Sequence, residues 1–347
     1  PPAPSRSEAS QILRRVLGTP NIASKHAVYR RYDHEVQTRT VVKPGAGDAA
    51  VLRLRESSKG IALAVDGNGR LTYLDPYTGG ALAVAEACRN VAVSGAKPLA
   101  VTDCLNFGNP QKPEVYYQFQ ECIRGMSDAC KALGVPVVSG NVSLYNETQG
   151  EAVYPTPVVG AVGVLDLMED RVGAAFVDAG AAVLLLGSAL NSSAESLAGS
   201  EYLAEVHGVI AGKPLIDLDA EARQQRLLVD LAKVGLLRSA HDCSDGGLAV
   251  AVVESALLGG VGFVGEGDWA VDRWDATLFG EAASRVVISC LDADIAKIYR
   301  ASDEAGVQVI RIGEAVGERV DFPGLVDEPL SALADAFYGG LERCLDS

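Results

Sequence analysis

Two polar segments, each set directly behind an apolar run, constrain this chain more than any other feature. They are Val101-Thr-Asp-Cys-Leu-Asn-Phe-Gly-Asn-Pro110 and Ser139-Gly-Asn-Val-Ser-Leu-Tyr-Asn146. The first follows a run of strand character at 98–102 and the second one at 135–138, with a long helical pattern between them. A strand–helix–strand order sets two strand ends side by side. The polar segments are therefore expected as loops that gather Asp103, Asn106, Asn109, Asn141, Ser143 and Asn146 around one cleft. These side chains offer carboxylate, amide and hydroxyl oxygens, and Gly108 and Gly140 let backbone approach a ligand closely. Hard oxygen donors beside bare backbone suit a magnesium-bound phosphate better than a soft metal or an apolar ligand.

Composition narrows the class. The 347 residues exceed the usual ~100–200 per domain, so two domains are expected. A hydrophobic content of 48% with 15 prolines describes a folded globular chain. The net charge of −15 argues against nucleic-acid binding, which needs a basic face. An anionic substrate would then need a local concentration of Arg, Lys or backbone amides. Seven cysteines form no Cys-x-x-Cys pair, which reads as scattered thiols in a reducing cytoplasm. No apolar run approaches the ~18 residues of a membrane span, so a soluble, cytoplasmic protein is expected.

Residues 1–30 read as an N-terminal extension or linker, with 1–10 as a disordered start and 8–17 as a short helix stopped by Gly18 and Pro20. A first domain at 31–168 mixes about six strands with two sizeable helices. Its strands include 49–54, 61–65 and 71–74, with Asp66-Gly-Asn-Gly69 as a hairpin turn. One helix opens at Asp75-Pro-Tyr-Thr-Gly-Gly80 and stops at Gly95, and Pro113 begins the second, closed by Gly134. The polar stretch 166–180 marks the domain boundary. A second α/β domain at 169–347 carries strands at 182–187, 261–264, 281–289 and 307–312, helices at 218–236 and up to about 258, and a small-residue loop to Tyr202.

Thr78-Gly79-Gly80 at a helix start is either an anion site or simply a tight turn. Glu86 and Asn90, four apart, share a helix face and could hold a divalent metal. The alternative is a solvated face, but the flanking Ala85, Ala87, Cys88 and Val91 speak for burial, where an unpartnered Glu is costly. Ala240-His-Asp-Cys-Ser-Asp-Gly-Gly247 is not a catalytic triad, because adjacent residues do not form a nucleophile–base pair in space. It reads as a strand-to-helix turn capped by Asp245 or Ser244. His26, His34 and His207 stand alone and read as structural. Neither a P-loop nor a dinucleotide-binding glycine motif is present.

Taken together with Tyr32-Asp-His-Glu-Val36 and Gly47-Asp-Ala-Ala-Val51, these segments resemble one family across roughly residues 30–290. It is the synthetase subunit of phosphoribosylformylglycinamidine synthase, within the aminoimidazole-ribonucleotide-synthetase-like superfamily. That subunit is a tandem duplication, and the chain resembles its C-terminal half. The resemblance implies an α/β (α+β) fold of two domains, the first a sheet that pairs into a barrel with a like domain. It also implies an ATP-dependent C–N ligase of purine biosynthesis, in which the formyl-amide oxygen of formylglycinamide ribonucleotide is phosphorylated and ammonia displaces phosphate to leave an amidine. Asp66-Gly-Asn-Gly-Arg70 stands where the N-terminal half carries a Glu-Ser-His-Asn-His-Pro stretch with the catalytic histidine, and Arg89-Asn90 stands for its Arg-Asp pair. No catalytic residue is therefore expected here, and the isolated chain is expected to be inactive.

Residue by residue, the resemblance implies ATP contacts at Asp103 and Gly140, magnesium at Asn141 and substrate at Ser143. Large single-chain relatives keep a second metal–nucleotide assembly, whose ligands fall on Asp48, Glu86, Asn90 and again Asn141. The implied cofactors are ATP and Mg2+. The implied partners are the N-terminal half of the same subunit, the glutaminase subunit and the small accessory subunit of the complex, with a homodimer of the fragment as an alternative. A free-standing homodimeric synthetase or kinase of the superfamily, or a catalytically silent nucleotide-holding scaffold, are the rival readings.

Overall fold

A computed structural model describes residues 1–187 and 193–346. The chain opens with helices α1 (Ala9–Leu17) and α2 (His26–Tyr29). The first sheet and its helices follow: β1 (Thr40–Val42), β2 (Ala50–Arg53), β3 (Gly60–Asp66), α3 (Gly69–Leu74), α4 (Pro76–Val93), β4 (Lys97–Asn106), α5 (Pro113–Leu133) and β5 (Val137–Ser143). A short hairpin, β6 (Glu147–Thr148) and β7 (Glu151–Ala152), leads to the long β8 (Thr156–Leu165).

Strand order in the first sheet is β1-β2-β3-β8-β4-β5, antiparallel throughout except for the parallel pair β4–β5. In β8 every second residue is buried, so one face of the sheet packs and the other does not. Helices α4 and α5 cover the packed face. They approach backbone to backbone through glycine: a Cβ on Gly125 would sit 1.8 Å from the Tyr77 carbonyl oxygen, and one on Gly80 2.3 Å from that of Cys122. Thr78, Gly79 and Gly80 are buried within the first turns of α4, which supports the reading of that motif as the tight entry into the helix over the anion-site reading. The opposite face is open, with Leu63 44% and Val65 72% exposed.

The second sheet takes β9 (Ala181–Gly187), β10 (Ser239–Asp242), β11 (Phe263–Gly265), β12 (Arg285–Cys290), β13 (Val309–Ala315), β14 (Arg319–Phe322) and β15 (Val326–Pro329), in the order β10-β12-β9-β13-β11-β14-β15. Its helices are α6 (Glu201–His207), α7 (Leu218–Lys233), α8 (Gly247–Gly259), α9 (Trp274–Phe279), α10 (Ile295–Ala305) and α11 (Leu330–Leu345). One core joins the sheet to α1, α8, α9 and α11, and another joins it to α7 and α10.

Several expectations change. Residues 1–10 are ordered: Ser5 and Glu8 form a capping box, and the Trp274 indole N–H donates to the Pro4 carbonyl at 3.2 Å. Helix α1 buries Leu13, Val16 and Leu17 in the second core, so this stretch is part of that unit's packing. Residues 71–74 are helix α3 rather than a strand, because the Asn68 side chain accepts from the amides of Arg70 and Leu71 at 3.0 and 3.2 Å. The two polar segments begin inside β4 and β5, which run on to Asn106 and Ser143, and only 107–110 and 144–146 lie beyond the strands. Strand β10 leads into α8 as the strand-to-helix reading of 240–247 expects, while helices α6, α9, α10 and α11 and strands β14 and β15 add to the predicted elements.

Candidate functional site

Helix α4 is buried on nearly every side, yet Arg89 reaches into the second unit, Asn90 reaches Asp66 at the end of β3, and Glu86 lies near both Asp66 and Asp242. Arg89 donates through Nε to Asp242 Oδ1 at 2.6 Å and through Nη1 to Glu221 Oε1 at 2.9 Å. Gln225 extends the network, donating to Glu221 Oε1 at 2.8 Å and to the Ala85 carbonyl at 3.0 Å, and the Ser284 hydroxyl donates to Glu221 Oε2. Arg89, Glu221, Asp242 and Gln225 are all but fully buried, so the network rivets the two units together.

Beside the rivet lies a cleft with more acid than base. The Asn90 side-chain amide donates to Asp66 Oδ2 at 3.0 Å, and Asp66 Oδ1 accepts from the Gly67 amide at 2.6 Å. Burial, and then the charge of Asp245, push the Asp66 carboxyl up to about 7. Burial also raises Glu86 well above the carboxylate range, with Asp66 and Asp242 adding to it. Asp242 is raised by burial despite Arg89, and its Oδ2 is buried with no hydrogen-bond partner among the described residues. Asp48 Oδ1 meets His241 Nδ1 at 2.7 Å, and His241 Nε2 meets Glu254 Oε2 at 3.0 Å. Burial works against the imidazolium, but the carboxylates of Asp48 and Glu254 outweigh it and hold the His241 pKa well above its ordinary value.

Asp48, Asp66, Glu86, Asn90 and Asp242 thus form one run of neighbouring polar groups: Asn90 donates to Asp66, the charges of Asp66 and Asp242 act on Glu86, and the Asp242 amide donates to Asp48 Oδ2 at 3.4 Å. Among the described residues no group of three or more His, Cys, Asp or Glu side chains is gathered tightly enough to hold a metal ion. The donor set nonetheless fits a hard divalent cation: carboxylate and amide oxygens only, a surplus of negative charge, and an orphaned oxygen on Asp242. Asn141 is not part of this cleft. It lies on edge strand β5, three strands from β3, or about 14 Å at the usual inter-strand spacing. Asp242, which adjacency in the sequence had disguised as part of a turn, takes the place expected of Asn141. The cap on α8 also differs: the Gly246 amide donates to Glu281 at 2.7 Å, while Asp245 accepts from Asn68 at 3.3 Å.

The β4–β5 pair sets Asp103 opposite Gly140, Cys104 opposite Asn141 and Asn106 opposite Ser143. Alternation sends these side chains to opposite faces, so the six residues do not share one cleft. The Asp103 carboxylate lies over Gly140, where an added Cβ would stand 2.5 Å from its Oδ1. It lines a cavity of about 670 Å³ against α5, with Leu105, Ile123, Met126, Cys130 and Val142. Partial burial raises its pKa. Asn141 and Ser143 sit on the open face, where the Asn141 amide approaches Cys104 Sγ at 3.8 Å. Asn106, Asn109 and Asn146 are spent on nearby backbone groups.

AIR synthase related protein, N-terminal domain, matches residues 46–165, and AIR synthase related protein, C-terminal domain, matches 178–323. The chain belongs to the AIR synthase related family. Its curated relatives include the phosphoribosylformylglycinamidine synthase subunit PurL of Anaeromyxobacter dehalogenans, 45% identical over 99% of this chain and 46% of that protein. That of Moorella thermoacetica is 49% identical over 90% of this chain and 42% of its own length. The chain therefore spans less than half the length of these AIR synthase related proteins. Among solved structures, T. maritima PurL complexed with FGAR superposes with a TM-score of 0.76 at 20% identity, covering 95% of this chain and 54% of that one. The HypE-HypF complex gives 0.61 at 19% identity, over 82% of this chain and 92% of its counterpart. These likenesses show a shared two-domain α/β fold.

Proposed function

We propose that this chain is the C-terminal half of an ATP-dependent phosphoribosylformylglycinamidine synthase subunit of purine biosynthesis. In this reading it supplies nucleotide, metal and substrate contacts to a composite site and leaves the general base to the N-terminal half. The observation that carries the reading is the acidic cleft, where Asp48, Asp66, Glu86 and Asp242 converge while Arg89 is already spent on Asp242 and Glu221. Magnesium bound there would offset the carboxylates and the phosphates of a nucleotide together. Asp48, Glu86, Asn90 and Asp242 would hold it by drawing closer together than they stand in this structure.

Asp103 and Gly140 would meet ATP at the α5-side cavity, a carboxylate beside backbone bare enough for close approach. Asn141 and Ser143, on the open face, would serve the catalytic magnesium and formylglycinamide ribonucleotide once a like domain closes over the sheet. Phosphorylation of the formyl-amide oxygen by ATP and displacement of phosphate by ammonia give the amidine, ADP and phosphate. Positioning and charge neutralisation dominate such chemistry, so a half-site can be complete in contacts and silent alone. The partners in this reading are the N-terminal half, the glutaminase subunit that supplies ammonia and the small accessory subunit, in the cytoplasm. Among the described residues, no helix is long and apolar enough to cross a membrane.

The test is complementation. The chain, alone and mixed with a separately produced N-terminal half, is assayed for amidine formation with ATP, magnesium and ammonium. Activity only in the mixture supports the reading, and turnover by the chain alone overturns it. That second outcome would favour a free-standing homodimeric enzyme, a reading supported by the near-complete coverage of the shorter counterpart in the HypE-HypF complex.

A further inference from the structure

We propose that the seam between the two units carries a binding site for a phosphate monoester with a small apolar body, separate from the acidic cleft. A cavity of about 300 Å³ lies between the start of β4, the end of α5 and one face of α7. Lys97, Arg226 and Lys233 line it against a single carboxylate, Asp230. Pro98, Leu133, Ala222 and Val229 supply apolar surface. Positions 222, 226, 229 and 233 fall at intervals of three and four, so one stripe of α7 carries both the apolar wall and two of the cations.

An excess of cations in one cavity runs against a chain of net charge −15. Lys97, Arg226 and Lys233 are all exposed at the rim of this cavity, and complementing a helix C-terminus is an explanation that serves for Lys233, in the last turn of α7 and 3.7 Å from Asp166. It does not serve for Lys97, the first residue of a strand, or for Arg226, two turns before the helix end. Neither makes an ion pair or side-chain hydrogen bond among the described residues. Other cavities are closer to balance: the one beside Asp103 sets that acid against Lys131, and the one at His241 sets Asp48 and Glu254 against Lys25 and the imidazole. A volume near the lower end for ligand sites suits a compact body rather than a dinucleotide. Two or three cations around it suit a dianion through charge-assisted hydrogen bonds. Because β4 belongs to one unit and α7 to the other, a bound ligand would also stabilise their arrangement.

The experiment titrates the full chain with phenyl phosphate by calorimetry and thermal shift, with inorganic phosphate and phenol as companion probes at one ionic strength. Saturable one-to-one binding of phenyl phosphate, at least about tenfold tighter than either part, is expected. Arg226→Gln and Lys97→Gln should each weaken it about tenfold, as loss of a charged hydrogen-bond donor does. Lys297→Gln, on an exposed lysine paired with Asp294, should leave it unchanged. Asp230→Asn should tighten binding, which keeps the proposal testable if either cation variant melts early. Absent saturation, equal affinity for inorganic phosphate, or affinity unmoved by Arg226→Gln and Lys97→Gln would overturn it. The outcome is independent of the ligase reading.

Discussion

Arg89 shows how much one side chain can decide. In the sequence it sits in a run of small residues on a helix, and in the fold it is the charge shared by Asp242 and Glu221 across the junction. Removing it strands two buried carboxylates, so Arg89→Met should cost about 3–5 kcal/mol in urea unfolding. Asp66 gives a pH signature. Its folded pKa of about 7 lies above the ordinary 3.8, so the folded state binds more protons than the unfolded state between those values. Stability should therefore fall as pH rises from about 4 to about 7 in metal-free buffer, and Asp66→Asn should reduce that slope without abolishing it, because burial also raises Glu86, Asp242, Asp245 and Glu281. Asp103→Ala, in the intact subunit, should impair ATP use more than folding, since the carboxylate borders a cavity rather than the core. Steady-state ATP dependence measured beside thermal melting decides this: a large drop in melting temperature with normal ATP kinetics would make Asp103 structural.

At the scale of elements, the contact between α4 and α5 rests on absent side chains. Gly125 admits the Tyr77 carbonyl to a distance that no Cβ would allow. Gly125→Ala should push the helices apart and lower the unfolding free energy by about 1–3 kcal/mol, the range for overpacking. Gly134→Ala is the comparison. It has a left-handed backbone, and a Cβ there would meet nothing within 4 Å among the described residues, so it should cost only about 1 kcal/mol. Similar midpoints for the two variants would refute the close-approach account. The helix boundaries themselves were legible, because Pro76 and Pro113 stand in the first turns and Gly134 takes a left-handed backbone at the end of α5. The α3 turn was not legible, because Asp-Gly-Asn-Gly is equally good hairpin chemistry until the Asn68 side chain turns back on the helix amides.

For the whole molecule, the open face of the first sheet is the main unfinished surface. Leu63 and Val65 project from it in a domain whose helices lie on the other side. Such a face calls for a like domain, and in its absence for a second copy. Sedimentation at micromolar concentration should show self-association that Val65→Asp reduces. A monomer across the whole dilution series would refute the barrel arrangement.

The sequence by itself determined the family, the strand–helix–strand order around β4 and β5, and the oxygen-rich character of the candidate ligands. These follow from local spacing and residue type, which survive without knowledge of the fold. Only the tertiary structure decided which of those ligands meet. Strand alternation puts Asp103 and Asn141 on opposite faces although they sit on paired neighbours, and the packing of α4 against β10 brings Asp242 to Glu86 from more than a hundred and fifty residues away. Burial is also a property of the assembled chain. The same carboxylate that would be an ordinary surface acid in the sequence becomes, at Asp66, a group that titrates near neutrality because neighbouring elements remove its water and bring Asp245 beside it.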